Sequence, residues 1–241
     1  MLDKFILEKS NLLSYSQDEL SNIAASSNHL RGIVRNQSDF NESFLGGSYK
    51  RGTMVKGISD VDVYFQYTGI SDSVGALKRL RACLVDSYPR TTIKQDRPSI
   101  HVDFDRIPFN ITPYKKSSWS QNIEIPDNVF NGWQTTKFGE LEASITVLRG
   151  RNQKYIDLIK ILKIWNYNHG KGLKNFDIEW RVANMFVYPG ALGTSISDWL
   201  YTFFNNQSFY ADANRFRNVM LSNSYESSRL KSEWLNFIDN K

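Results

Sequence analysis

The chain has 241 residues, 41% of them hydrophobic and 23% charged, with a formal net charge of +5. That balance suits one large globular domain or two packed lobes that can bind polyanions, and no apolar run approaches the roughly 20 residues of a membrane span. A single cysteine, Cys83, excludes an intrachain disulfide and a cysteine-based metal cluster, and His29, His101 and His169 show no zinc-ligand spacing.

The N-terminal stretch mixes charge with apolar residues and lacks the uninterrupted apolar core of a secretory signal, so a cytoplasmic location is expected. Residues 3–30 read as helical, with Leu2, Phe5, Ile6, Leu12, Leu13, Leu20 and Ile23 at helical spacing and a break near Ser14–Asp18. Ser43–Thr53 reads as a short strand entering a glycine-rich turn, and the alternation over residues 59–67 predicts a second strand. A helix is expected over residues 72–88, ended by Pro89, with Cys83 as a buried, inert thiol in its apolar stripe. Ser99–Pro113 reads as a hairpin whose arms flank a turn at Asp105-Arg106. Residues 115–137, rich in Ser, Asn, Trp and Pro, read as irregular; from about 140 the pattern is helical to the end, with breaks near Asn168–Gly172 and Pro189–Thr194. The fold class is α+β: a mixed α/β lobe over residues 1–138, then a helical lobe over 139–241, with a cleft between them and the N-terminal helix able to pack on the second lobe.

Chemistry concentrates in Gly46–Phe65. Asp60 and Asp62 stand two apart on a strand, so their side chains leave one face. Two carboxylates side by side repel each other, and a hard divalent cation between them explains the pairing. Gly46, Gly47 and Ser48 allow close backbone approach and offer N–H groups and a hydroxyl to phosphate oxygens. Taken singly, an Asp-Val-Asp strand is usually a solvated face and a Gly-Gly-Ser usually a turn. The two about a dozen residues apart form the specific signal.

Gly47-Ser48, Arg51-Gly52-Thr53 and Ser59-Asp60-Val61-Asp62 together resemble the signature of the polymerase-β-like nucleotidyltransferase superfamily, in its oligoadenylate synthetase and bacterial cyclic-oligonucleotide synthase (CD-NTase) branch. Ile125-Pro126-Asp127, Gly132-Trp133, Leu158–Asn166 and the Asn175-Phe176…Glu179 element resemble further parts of the same group. The resemblance implies a two-lobed nucleotidyltransferase fold with a mixed-sheet catalytic lobe and a helical lobe. It implies an enzyme joining NTPs or dNTPs into a short linear or cyclic oligonucleotide, a signal in bacterial anti-phage defence. Two Mg²⁺ (or Mn²⁺) ions are implied at Asp60, Asp62 and a third position, with Gly47, Ser48 and Lys163 on the nucleotide. A nucleic-acid or protein activator and an effector that senses the product are the implied partners. Arg51, Lys56 and Lys160 are weaker candidates for phosphate attraction, and Tyr49, Tyr64, Tyr114, Trp119 and Trp133 for base stacking, though solvation or packing is the commoner fate of such residues.

The third position departs from the family pattern. Apolar-Asp-apolar-apolar-Pro is expected, and Phe109-Asn110-Ile111-Thr112-Pro113 stands there. Asparagine offers a carbonyl oxygen but carries no charge and cannot act as a base. Three readings stand open: an Asp→Asn exchange that traps substrate, a natural nucleotide binder of weak turnover, or a carboxylate supplied by Asp103. Asp103 and Asp105 share a face and read as hairpin-surface residues. Transfer to a protein, tRNA or small molecule, or a non-catalytic nucleotide- or RNA-binding module, are the alternatives to oligonucleotide synthesis.

Overall fold

The computed structural model describes residues 1–96, 98–104, 107–117, 122–127, 129–187, 193–206, 209–222 and 227–240. The elements run α1 (Leu2–Leu12), α2 (Gln17–Arg35), β1 (Phe40–Leu45), α3 (Gly47–Arg51), β2 (Val61–Tyr67), α4 (Ser73–Ser87), β3 (Ile93–Asp96), β4 (Ser99–Phe104) and β5 (Ile107–Lys116). There follow β6 (Ile123–Pro126), β7 (Trp133–Thr135), α5 (Phe138–Arg151), α6 (Lys154–Asn168), α7 (Asn175–Met185), α8 (Ile196–Asn206), α9 (Tyr210–Leu221) and α10 (Ser227–Ile238). Two compact units result: Tyr15–Gly52 with Ser59–Glu142, and Met1–Ser14 with Thr53–Ile58 and Ala143–Lys241.

The first unit is a mixed sheet in the order β1-β2-β5-β4-β3, with β6 pairing β5 and β7 pairing β6. Among the described residues only β2 and β5 pair in parallel, and α4 lies on the path between them. Helix α2 opens with a capping box: the Ser16 hydroxyl accepts from the Glu19 N–H, and the Glu19 carboxylate accepts from the Ser16 N–H. Asp72 caps α4 by accepting from the Gly75 N–H at 2.8 Å. Val61, Val63 and Phe65 of β2 and Phe109 and Ile111 of β5 are fully buried. That anchors the two central strands and fixes their register.

The second unit is helical, and α1 belongs to it by packing on α6, α8 and α10. The Asp3 carboxylate accepts from the Ile196 and Ser197 N–H groups at the start of α8, and the Ser10 hydroxyl donates to Asp157 of α6 at 2.8 Å. Trp165 of α6 is fully buried, its ring 4.9 Å from Phe204 and 5.0 Å from Phe209.

Two readings of the sequence change. Residues 115–137 carry β6, β7 and the end of β5 instead of being irregular throughout, because Ile125 and Ile123 join Tyr64, Tyr114, Phe44 and Phe138 in one apolar cluster. Leu12, counted in the apolar spacing of residues 3–30, is 72% exposed, while that stretch is helical with its break between α1 and α2, near where the sequence placed it. The turn at Asp105-Arg106, Trp119 and most of the break near Pro189–Thr194 lie outside the described residues.

Candidate active site

Strand registers build the site. Parallel pairing of β2 with β5 sets Asp62 beside Asn110, and antiparallel pairing of β5 with β4 sets Asn110 beside His101. Directly paired residues on neighbouring strands share a face, so Asp62, Asn110 and His101 form one row, with Asp60 two residues before Asp62 on the same side. The Asn110 Nδ2 donates to Asp60 Oδ2 at 3.0 Å and to Asp62 Oδ1 at 3.4 Å. Its Oδ1 lies 3.0 Å from His101 Nδ1. On the ring's far side, His101 Nε2 stands 3.6 Å from Asp103 Oδ1.

The glycine-rich turn is pressed against this row. The Gly46 N–H donates to the Asp62 carbonyl at 3.0 Å, which ties the turn to β2. Gly47 sits at φ +58°, and a Cβ there would collide with the Asp62 carboxylate, so no larger residue fits. Glycine at 47 therefore lets the backbone and Asp62 come together. Ser48 and Arg51 follow on α3, both buried, and Gly52 ends it in the left-handed region at φ +73°.

Burial pushes the Asp60 carboxyl above its ordinary range, the bond from Asn110 and the nearby His101 pull it back, and Asp103 pushes it further up. Two carboxylate oxygens converging on one nitrogen make a hard-oxygen pocket into which the Asn110 N–H group donates. A divalent cation such as Mg²⁺ or Mn²⁺ fits that donor set through Asp60 and Asp62, while the Asn110 carbonyl oxygen faces His101. Among the described residues no group of three or more His, Cys, Asp or Glu side chains could hold a metal ion, in keeping with an amide at the third position.

Lys163 stands on α6. It is fully buried in the helical unit, and its ammonium donates to Glu179 Oε1 at 2.6 Å, the Thr53 carbonyl at 3.0 Å and Thr53 Oγ1 at 3.2 Å. Glu179 is also fully buried and accepts from the Thr53 hydroxyl. The expected solvent-facing cation is an interior one, because α6 is enclosed on every side from Ile156 to Ile164 except at the half-buried Lys160. The Lys160 ammonium donates to Ser14 Oγ at 2.8 Å. Among the aromatic candidates, Tyr64 and Tyr114 are core residues, and Trp133 stacks on Tyr67 with Lys115 Nζ 4.8 Å from its ring centre. Cys83 is buried, as its place in the apolar stripe of α4 requires.

His101 is the site residue that sequence reasoning missed. The signal was present: counting outward from a hairpin centred on 105–106 sets position 101 opposite 110.

The family model for the Second Messenger Oligonucleotide or Dinucleotide Synthetase domain (SMODS) matches residues 2–147. No curated protein matches the chain by sequence. Among solved structures, the fold is similar to CdnC of E. coli MS115-1 with ATP, at a TM-score of 0.76 and 13% identity, covering 98% of this chain and 97% of that one. The Bradyrhizobium diazoefficiens CD-NTase CdnG in complex with GTP gives a TM-score of 0.70 at 10% identity, covering 99% and 90%. The STING-associated CdnE c-di-GMP synthase of Capnocytophaga granulosa gives 0.65 at 15% identity, covering 98% and 85%.

Proposed function

The chain belongs to the family of second messenger oligonucleotide or dinucleotide synthetases, and from that premise we propose that it joins nucleoside triphosphates into a short linear or cyclic oligonucleotide released as an anti-phage signal. One observation carries the site assignment: Asp60 and Asp62 converge on the Asn110 amide nitrogen, and the Asp62 carboxylate is pressed against Gly47, where a Cβ would collide with it. Asp60, Asp62 and the Asn110 carbonyl are assigned to metal. Bound Mg²⁺ or Mn²⁺ supplies positive charge against the triphosphate and lowers the proton affinity of the acceptor hydroxyl.

The chain's own groups orient the reaction. The Ser48 hydroxyl and the N–H groups around Gly47 hold the outer phosphates, so the α-phosphorus faces an acceptor 3′- or 2′-hydroxyl in line with the departing pyrophosphate. Asn110 cannot take the hydroxyl proton, and turnover by this chain is accordingly slow. Lys163 is assigned to holding Thr53, next to the Gly47–Gly52 turn in sequence, in place of a direct phosphate contact. CdnC in the solved structures is found with ATP and also with a HORMA partner, which favours nucleoside triphosphates as substrates and a protein activator here.

The neutral Asn110 also favours a second reading, a nucleotide-binding module without turnover. Incubation with mixed labelled NTPs and Mn²⁺, wild type beside Asn110→Asp, separates the two. Synthesis predicts pyrophosphate and an oligonucleotide from N110D. Nucleotide binding with no pyrophosphate from either form supports the binding module.

A further inference from the structure

We infer that His101 is a positioning residue that turns the Asn110 amide so that its oxygen faces Asp60 and Asp62 when a cation is bound, and that Asp103 sets the ring tautomer this requires. The inference rests on the nucleotidyltransferase reading above.

As the side chains stand, Nδ2 of Asn110 faces both carboxylates and Oδ1 faces His101. An amide nitrogen carrying two hydrogens has no lone pair to give a hard cation, and its N–H dipoles repel one. The two ends of the amide are nearly equal in size, so a half-turn about its last bond keeps the packing and exchanges the roles. Oδ1 then points between the carboxylates and Nδ2 points at His101 Nδ1.

That orientation holds only if His101 Nδ1 has a free lone pair to accept from Nδ2. A neutral ring with Nδ1 bare carries its hydrogen on Nε2. The atom facing Nε2 is Asp103 Oδ1 at 3.6 Å, a carboxylate that favours a hydrogen there. Asp103 lies two residues from His101 on β4, so the two side chains leave the same face. The resulting order, Asp103 to His101 to Asn110 to the carboxylate pair, is that of an outer group orienting an inner ligand. Asp103 thereby acts at a remove instead of replacing the missing carboxylate. An aspartate at 110 has oxygen at both ends and needs no such orientation, so His101 matters because the residue is asparagine.

The test is a coupling measurement. Mn²⁺ binding in the presence of a non-hydrolysable NTP analogue is followed by electron paramagnetic resonance for wild type, H101A, D103N, N110D and N110D/H101A, with melting curves confirming that each is folded. H101A is expected to weaken Mn²⁺ about tenfold or more in the wild-type background and to have little effect in the N110D background; D103N acts in the same direction as H101A. Long-range ¹H–¹⁵N spectra of the wild type with Mg²⁺ and the analogue should show the His101 hydrogen on Nε2. Equal weakening by H101A in both backgrounds, no weakening in either, or a hydrogen on Nδ1 with Mg²⁺ bound would each overturn the inference alone. Absence of Mn²⁺ binding by both wild type and N110D would take down the nucleotidyltransferase reading, and this inference with it.

Discussion

Lys163→Met removes a buried ammonium while keeping nearly the same side-chain volume, so its cost reports the charge network and not a cavity. Lys163 and Glu179 are both 0% exposed, their ion pair spans 2.6 Å, and the ammonium also serves two oxygens of Thr53. Removing the ammonium breaks this buried ion pair, and breaking such a pair from one side costs about 3–5 kcal/mol. In a chain of this length each kcal/mol moves the melting temperature by about 2–4 °C, so a fall of about 6–20 °C is expected. Removing both charges together, as K163M/E179L, should recover most of that loss, since replacing a whole buried pair with apolar groups is often neutral. Urea unfolding of the single and double variants measures both effects. A single variant within about 1 kcal/mol of wild type, or a double variant as unstable as K163M, would refute the reasoning.

Three further outcomes follow from the same structure. Gly47→Ala forces a Cβ into the Asp62 carboxylate at a positive φ; a stability loss of about 1–3 kcal/mol is expected by denaturation, with nucleotide binding weakened at least about tenfold by calorimetry. Burial raises the Asp60 carboxyl, so the stability tied to its protonated form is present below the ordinary carboxylate range and lost as pH rises through the raised value. With metal chelated, Asp60→Asn should therefore melt above wild type at neutral pH, and the difference should close as pH falls below about 4. The Cys83 thiol is buried and its ionisation pushed upward by that burial, so native protein should react with a thiol reagent far more slowly than urea-unfolded protein.

Much of the site was legible because its signals are local. Period-two spacing sets Asp60 and Asp62 on one face and a tight turn needs glycine at 47, while position 110 was reached through the Pro-terminated pattern of the family the sequence resembles. What escaped depends on partners distant in sequence. β6 and β7 have four and three residues, too few for a pattern, and they form because β5 offers them an edge and Ile125 a cluster to join. Lys163 reads as a surface lysine on any helical wheel, since its burial is set by the other helices of its unit and by Thr53 and Glu179. His101 looked scattered until the hairpin register set it against Asn110.

The most direct test of the central claim is pyrophosphate release from mixed NTPs with Mn²⁺ by wild type and N110D, with the products resolved by mass spectrometry. The account predicts slow or undetectable release by wild type, which still binds nucleotide, and at least about a hundredfold faster release by N110D with a short oligonucleotide as product. No pyrophosphate from N110D under any NTP mixture, with folding and nucleotide binding intact, would contradict it.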